Sequence, residues 1–225
     1  MFPIRDSART QGIPIVNWAL IVVNVLVLAW IASLAPRAQE SLIYSYGFVP
    51  EAFFRSPISG AALTLITSMF LHGGWYHVIS NMWALYIFGD NIESRLGHGR
   101  YLVFYLATGI AAALAHAALT PASEIPTVGA SGAVAGVMGA YILLFPHSRI
   151  VTLIPLFFLP WFVEVPALIY VGVWFLSQLF NGLFSLLPET EAAAGVAWWA
   201  HVGGFAAGLG LAAAYLGVSR RKSYY

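Results

Sequence analysis

Four side chains in this sequence have the types and spacing of an acyl-transfer site: Ser131, His201, His77 and Asn81. Serine is a weak nucleophile at its own pKa and needs a neighbouring base. A neutral imidazole fills that role near pH 7, which pairs His201 with Ser131. No acidic residue lies at the same depth in the chain's apolar segments, so the expected arrangement is a dyad and not a triad. Acyl transfer also develops an oxyanion, and losing one donor to it typically costs about 2.7–4 kcal/mol of transition-state stabilisation. The candidate donors are the Asn81 amide, one His77 nitrogen and the Ser131 backbone N–H. A helix start at Ser131 would add a favourable dipole. His72 and His77 have no carboxylate near them and no H-E-x-x-H occurs, so no metal site is read. With no cysteine in the chain, disulfides, thiolate catalysis and Cys-ligated zinc are excluded.

These residues sit on elements that belong in lipid. Of the 225 residues, 60% are hydrophobic and only 8% charged, where soluble domains carry about a quarter charged. A spanning helix needs about 20 mostly apolar residues. Six runs answer to that: 13–34, 63–88, 101–119, 131–145, 166–187 and 196–218. The expected fold is therefore all-α, a polytopic bundle of six transmembrane helices in one domain. A further apolar stretch, Val151–Val163, contains Pro155 and Pro160 and reads as a connector at the interface. The first run is longer than a signal-peptide core and reads as a retained helix. Placing both termini inside puts Arg5, Arg9, Arg95, Arg100, Arg149, Arg220, Arg221 and Lys222 in the cytoplasm, with only Arg37 and Arg55 outside. That is a strong positive-inside bias. A net charge of +1, with no basic run before the C-terminus, gives no argument for nucleic acid.

The spans can be placed against one another. The second, fourth and sixth all run from outside to inside. Ser131 opens the fourth, and His201 lies roughly 8 Å below the start of the sixth at 1.5 Å per residue. His77 and Asn81, four residues apart, share one face of the second. Gly132, Gly136 and Gly139 recur along the fourth, while Gly204 and Gly208 form a GxxxG in the sixth, one turn after His201. Such small-residue stripes let helix backbones approach closely, and packing them would bring Ser131 near His201. No Asp, Glu, Lys or Arg lies well inside a span, which counts against an ion- or proton-coupled transporter.

The ordered set resembles the rhomboid proteases of six-helix prokaryotic type over nearly the whole chain. It comprises His77-Val78-Ile79-Ser80-Asn81 in the second span and Glu93-Ser94-Arg95 after it. Gly129-Ala130-Ser131-Gly132 opens the fourth span, and Ala200-His201 precedes Gly204 and Gly208 in the sixth. The resemblance implies Ser131 as nucleophile, His201 as general base, and His77, Asn81 and the Ser131 N–H as the oxyanion hole. It implies transmembrane protein substrates cleaved near the outer face of a bilayer, with no metal or other cofactor. It also implies a prokaryotic plasma (inner) membrane, with both termini cytoplasmic. Two departures stand out: the first outer loop, where some members carry Trp-Arg, has only Phe54-Arg55, not at the corresponding position, and Ala135 stands where some carry an aromatic that stacks on the histidine. The alternatives are a non-catalytic relative that binds transmembrane clients, which loss of Ser131 or His201 would mark, and a small-solute transporter. The aromatic-rich first loop, 35–62, reads as an interfacial element or as an ordinary amphipathic loop, and Trp174 and Phe175 as lining a lateral entrance or facing lipid.

Overall fold

The computed structural model describes residues 2–56, 60–156, 159–186 and 196–222. Its long helices are α1 (Ile15–Ala32), α5 (Trp75–Leu96), α6 (His98–Leu119), α7 (Ser131–Leu144), α8 (Ala167–Phe184) and α9 (Trp198–Lys222). Shorter ones, α2 (Pro36–Tyr46), α3 (Pro50–Arg55) and α4 (Thr64–Thr67), lie between α1 and α5. Among the described residues four helices, α1, α6, α8 and Trp198–Gly217 of α9, are long and apolar enough to cross a membrane. The molecule is a helical, polytopic membrane protein, as composition and hydrophobic runs indicated.

Apolar side chains fill the core and also cover the outside, unlike in a soluble bundle. Helix α1 turns Asn17 and Asn24 inward while Trp18, Val22, Leu26 and Trp30 are exposed. Helix α8 buries Gln178 and exposes Leu168, Ile169, Val173, Leu176 and Phe180. In lipid the apolar side chains have nothing to gain by turning inward, while polar groups must find partners within the protein.

The second expected run, 63–88, is corrected at both ends. Residues 64–70 form α4 and a 3-10 turn, and the helix then breaks at Leu71 and restarts at Trp75. Gly73 and Gly74, poor helix formers, occupy the break. Helix α5 continues past Phe88 to Leu96, and Gly97 ends it with φ +81°, a left-handed conformation suited to glycine. Glu93 therefore lies in α5 and not in solvent beyond it. It is 1% exposed, and its two carboxylate oxygens accept the α1 amides of Val16 at 2.9 Å and Asn17 at 2.7 Å. The remaining spans shift by at most four residues at either end, and Leu187, Glu189 and Glu191 lie outside the described residues.

The stretch read as an interfacial connector is a hairpin, β2 (Arg149–Leu156) and β3 (Leu159–Pro166), joined on its other edge by β1 (Phe2–Asp6), all antiparallel. Ile150 pairs with Val165 and Thr152 with Val163 across this ladder, and β-branched side chains suit such a pleated surface. Strand β1 is anchored by Trp83, whose indole N–H donates to the Pro3 carbonyl, and by Asp6, which accepts from Tyr141 and Asn91.

Between α1 and α5 the first loop is helical, with Pro36 and Pro50 each opening a helix. Phe48 is fully buried and exchanges both backbone hydrogen bonds with Thr127. Arg55 pairs with Glu51, and Phe54 is exposed.

Candidate active site

Helix α7 is the centre of the site, and glycine sets how close its neighbours come. A Cβ on Gly204 would collide with the Gly132 carbonyl, and one on Gly208 with the Gly136 carbonyl. Backbone therefore lies on backbone between α9 and α7, and the two stripes read from the sequence do face each other. On its other side Gly132 meets Ala112, and Gly136 meets Thr108, both of α6.

That packing brings His201, near the start of α9, to the first residue of α7. His201 Nε2 lies 2.8 Å from Ser131 Oγ. The other ring nitrogen, Nδ1, lies 2.7 Å from the Gln178 side-chain oxygen of α8. Both His201 and Gln178 are buried. Ala135 is fully buried and offers no aromatic ring. Its place beside the imidazole is taken from other directions: Trp174 lies 6.0 Å away in a tilted arrangement and Trp198 6.1 Å away edge-on. Trp174 thus turns toward the bundle, and Phe175 stacks on Phe205 of α9 at 4.3 Å. Both rings are half-buried against α9.

The oxyanion candidates converge on the turn before Ser131. Gly129 has φ +124°, a conformation L side chains rarely adopt, and a Cβ there would press on Cε1 and Nε2 of His77 at 2.7 Å, with Asn81 Nδ2 at 3.7 Å. Glycine is thus required twice over. The Gly73 N–H donates to His77 Nδ1 at 3.4 Å. This leaves Nε2 as the protonated, donating nitrogen, on the edge that faces Gly129. Asn81 Nδ2 is buried and finds no hydrogen-bond partner among the described residues. Ser131 opens α7 without a side-chain cap, so its N–H belongs to the unpaired first turn. His72, in the break before α5, accepts from the Ala130 N–H at 3.4 Å and meets the His77 ring edge-to-face at 5.0 Å.

Two spaces adjoin these groups. One of about 420 Å³ lies beside His77, bounded by His116, Thr120, Val128, Trp198 and Trp199. The other, of about 20 Å³, touches Ser131, Gly129, Met69 and Ala200, room for roughly one water molecule.

Ser131, His201, His77, Asn81, Gly132, Gly136, Gly204 and Gly208 are thus assembled in one region. Gln178 is the participant the sequence reading passed over. Its signal was weak, since the same run also holds Ser177 and Asn181 and nothing in its spacing ties it to His201.

Comparison with known proteins shows what the chain as a whole is similar to. The family model described as "Rhomboid domain" matches residues 59–218. A 164-residue stretch is 32% identical to "RHOMBOID-like protein 12, mitochondrial" of Arabidopsis thaliana, covering 66% of this chain and 45% of that protein. Over 85 residues the chain is 38% identical to "Rhomboid protease GluP" of Bacillus subtilis, covering 38% of this chain and 16% of that one. It is also 34% identical over 80 residues to "Putative rhomboid protease YdcA" of the same bacterium, covering 36% of this chain and 40% of the relative. In all three the match spans less than half of the relative's own length.

Proposed function

Since the chain belongs to the rhomboid family, we propose that it is an intramembrane serine endopeptidase that cleaves transmembrane protein substrates through Ser131 and His201. The observation that carries this reading is the 2.8 Å contact between Ser131 Oγ and His201 Nε2, within hydrogen-bond reach of nucleophile and base. In the proposed reaction the Ser131 hydroxyl attacks the scissile carbonyl while His201 Nε2 takes its proton. The carbonyl oxygen becomes an oxyanion, to which His77 Nε2–H, Asn81 Nδ2–H and the Ser131 N–H donate. The imidazolium then gives its proton to the departing amine, leaving an acyl enzyme. Water attacks that ester, again with His201 as base, and restores the serine.

The space of about 420 Å³ beside His77 gives water and an unwound peptide segment a place next to these donors. A client-binding protein without chemistry has no need of a serine held on a histidine, which favours the protease over that alternative. The orientation with both termini cytoplasmic belongs to the same proposal. Arg5 and Arg149 both lie on the three-stranded sheet, and Arg95 and Arg100 flank the α5–α6 turn. A prokaryotic plasma membrane is part of the proposal too; the placements that the relatives' names print are the mitochondrion and the chloroplast, while two of the relatives are proteins of Bacillus subtilis.

The test is cleavage of a single-span model substrate by purified protein in liposomes, wild type beside Ser131→Ala. Cleavage by wild type alone is the expected result. Equal cleavage by a folded Ser131→Ala protein would refute the assignment.

A further inference from the structure

We infer that Gln178 is a positioning residue for catalysis, holding His201 in the one tautomer that can accept the serine proton. The inference deepens the protease reading and rests on it.

Helix α8 presents Ala167, Val171, Gln178 and Gly182 to the bundle. Three of these are apolar or lack a side chain, and the fourth is an amide 7% exposed. A polar group at this depth is costly unless it is partnered, and a partnered one there is usually functional. Gln178 is fully partnered. Its side-chain nitrogen donates to the Ser177 hydroxyl at 2.9 Å and to the Trp174 carbonyl at 3.3 Å, and its oxygen meets His201 Nδ1 at 2.7 Å. The orientation of the amide follows from these partners. A carbonyl only accepts, so the side of Gln178 that faces Trp174 must be the NH₂. Reversing the amide would set two acceptors against each other at Trp174.

With the amide oxygen toward the ring, His201 Nδ1 must carry the proton and donate it. Nε2 then holds a lone pair aimed at the Ser131 hydroxyl, 2.8 Å away. This is the tautomer a general base needs. In serine hydrolases with a triad a buried carboxylate imposes it and also stabilises the imidazolium. Gln178 does the first and only weakly the second, since it brings a dipole and no charge. During attack the Ser131 proton moves to Nε2 as the Oγ–carbon bond forms. The Nδ1–H stays on the ring and keeps its bond to Gln178, so the amide is unchanged through the cycle. With Ala135 in place of an aromatic, this hydrogen bond and the two tryptophans are what hold the ring.

The other titratable groups that bear on His201 are His77 of α5 and His116 of α6. Helix α7 presents Ser131 and α8 presents Gln178, neither of which titrates near neutral pH. A change at position 178 can therefore be compared with wild type against a constant background.

The experiment combines two readings. The first is the pH dependence of kcat and KM for wild type, Gln178→Glu and Gln178→Leu, with folding checked by thermal unfolding. A carboxylate within a few ångströms of an imidazole raises its pKa by about 1–3 units, so Gln178→Glu should move the acidic limb of kcat to higher pH by at least one unit. Gln178→Leu should lower kcat on the order of tenfold or more, with KM little changed. The second reading is the pair of ring ¹⁵N shifts of His201 in the wild-type protein, assigned by loss of the signal in His201→Asn. These should report a protonated Nδ1 and an unprotonated Nε2 at neutral pH, and they require no variant at 178 to fold. An unmoved acidic limb in an active Glu variant, a wild-type kcat in the Leu variant, or the opposite tautomer would each overturn the inference. Wild type that cleaves nothing would instead count against the protease reading, while the ¹⁵N shifts would still decide the hydrogen bond.

Discussion

At Asn81 a buried amide nitrogen waits without a partner among the described residues. A donor left so costs about 1–3 kcal/mol, and a developing oxyanion is the group that would relieve it. Asn81→Ala is therefore expected to lower kcat on the order of 10²-fold while leaving thermal stability at or slightly above wild type. An unchanged kcat would remove Asn81 from the oxyanion hole. Ser131, His201, His77 and Asn81 were all readable because each is polar within an apolar run. Gln178 escaped for a physical reason: Ser177 and Asn181 beside it are polar too, and only the rotation of α8 against α9 turns it toward His201, 23 residues away on another helix. Nor could the sequence say that the aromatic support missing at Ala135 would come from Trp174 and Trp198, since that depends on how α8 and α9 are rotated.

Glu93 and the glycine stripes show what elements contribute. The Glu93 carboxylate takes two α1 amides that would otherwise be unpaired, and His98 Nδ1 also reaches it. Through it the end of α5 holds the start of α1. Truncation by Glu93→Ala leaves both amides and a cavity, so a stability loss of about 2–4 kcal/mol is expected. Thermal unfolding in detergent should show a clearly lowered midpoint, with Glu93→Gln between it and wild type. A wild-type midpoint in Glu93→Ala would show that the cap contributes nothing. The existence of the long helices and the Gly204–Gly132 and Gly208–Gly136 approaches were legible from periodicity. The break at Leu71–Gly74 was not, because apolar residues on both sides mask it. The extension of α5 to Leu96 was hidden for the opposite reason: charged residues there look solvated until α1 is known to cover them.

For the molecule as a whole, lipid decides which side chains face out, and that was plain from composition. The three-stranded sheet was not. Pro155 and Pro160 correctly argued against a further span, but they sit opposite each other across a hairpin, and β1 is only five residues long. This sheet brings the N-terminus against α5 and α7 through Asp6. Burial lifts the Asp6 carboxyl above its ordinary value of 3.8, with hydrogen bonds from Tyr141 and Asn91 working the other way. The docked strand thus binds a proton more readily than an undocked one. Docking is strongest below 3.8 and weakens as pH rises through the lifted value. Hydrogen exchange at the β1 amides, corrected for intrinsic rates, is expected to show less protection at about pH 7 than at about pH 4, and Asp6→Asn should erase the difference. Equal protection at both in the wild type would contradict this assignment.

The central claim is that His201 activates Ser131 as a nucleophile, and it can be tested without knowing any substrate. Purified protein would be treated with a fluorophosphonate or isocoumarin probe and the adduct mapped by mass spectrometry, for wild type, Ser131→Ala and His201→Ala. A single adduct on Ser131, lost in both variants, is the result this account requires. Labelling that persists in folded His201→Ala, or that falls on a serine other than Ser131, would contradict it.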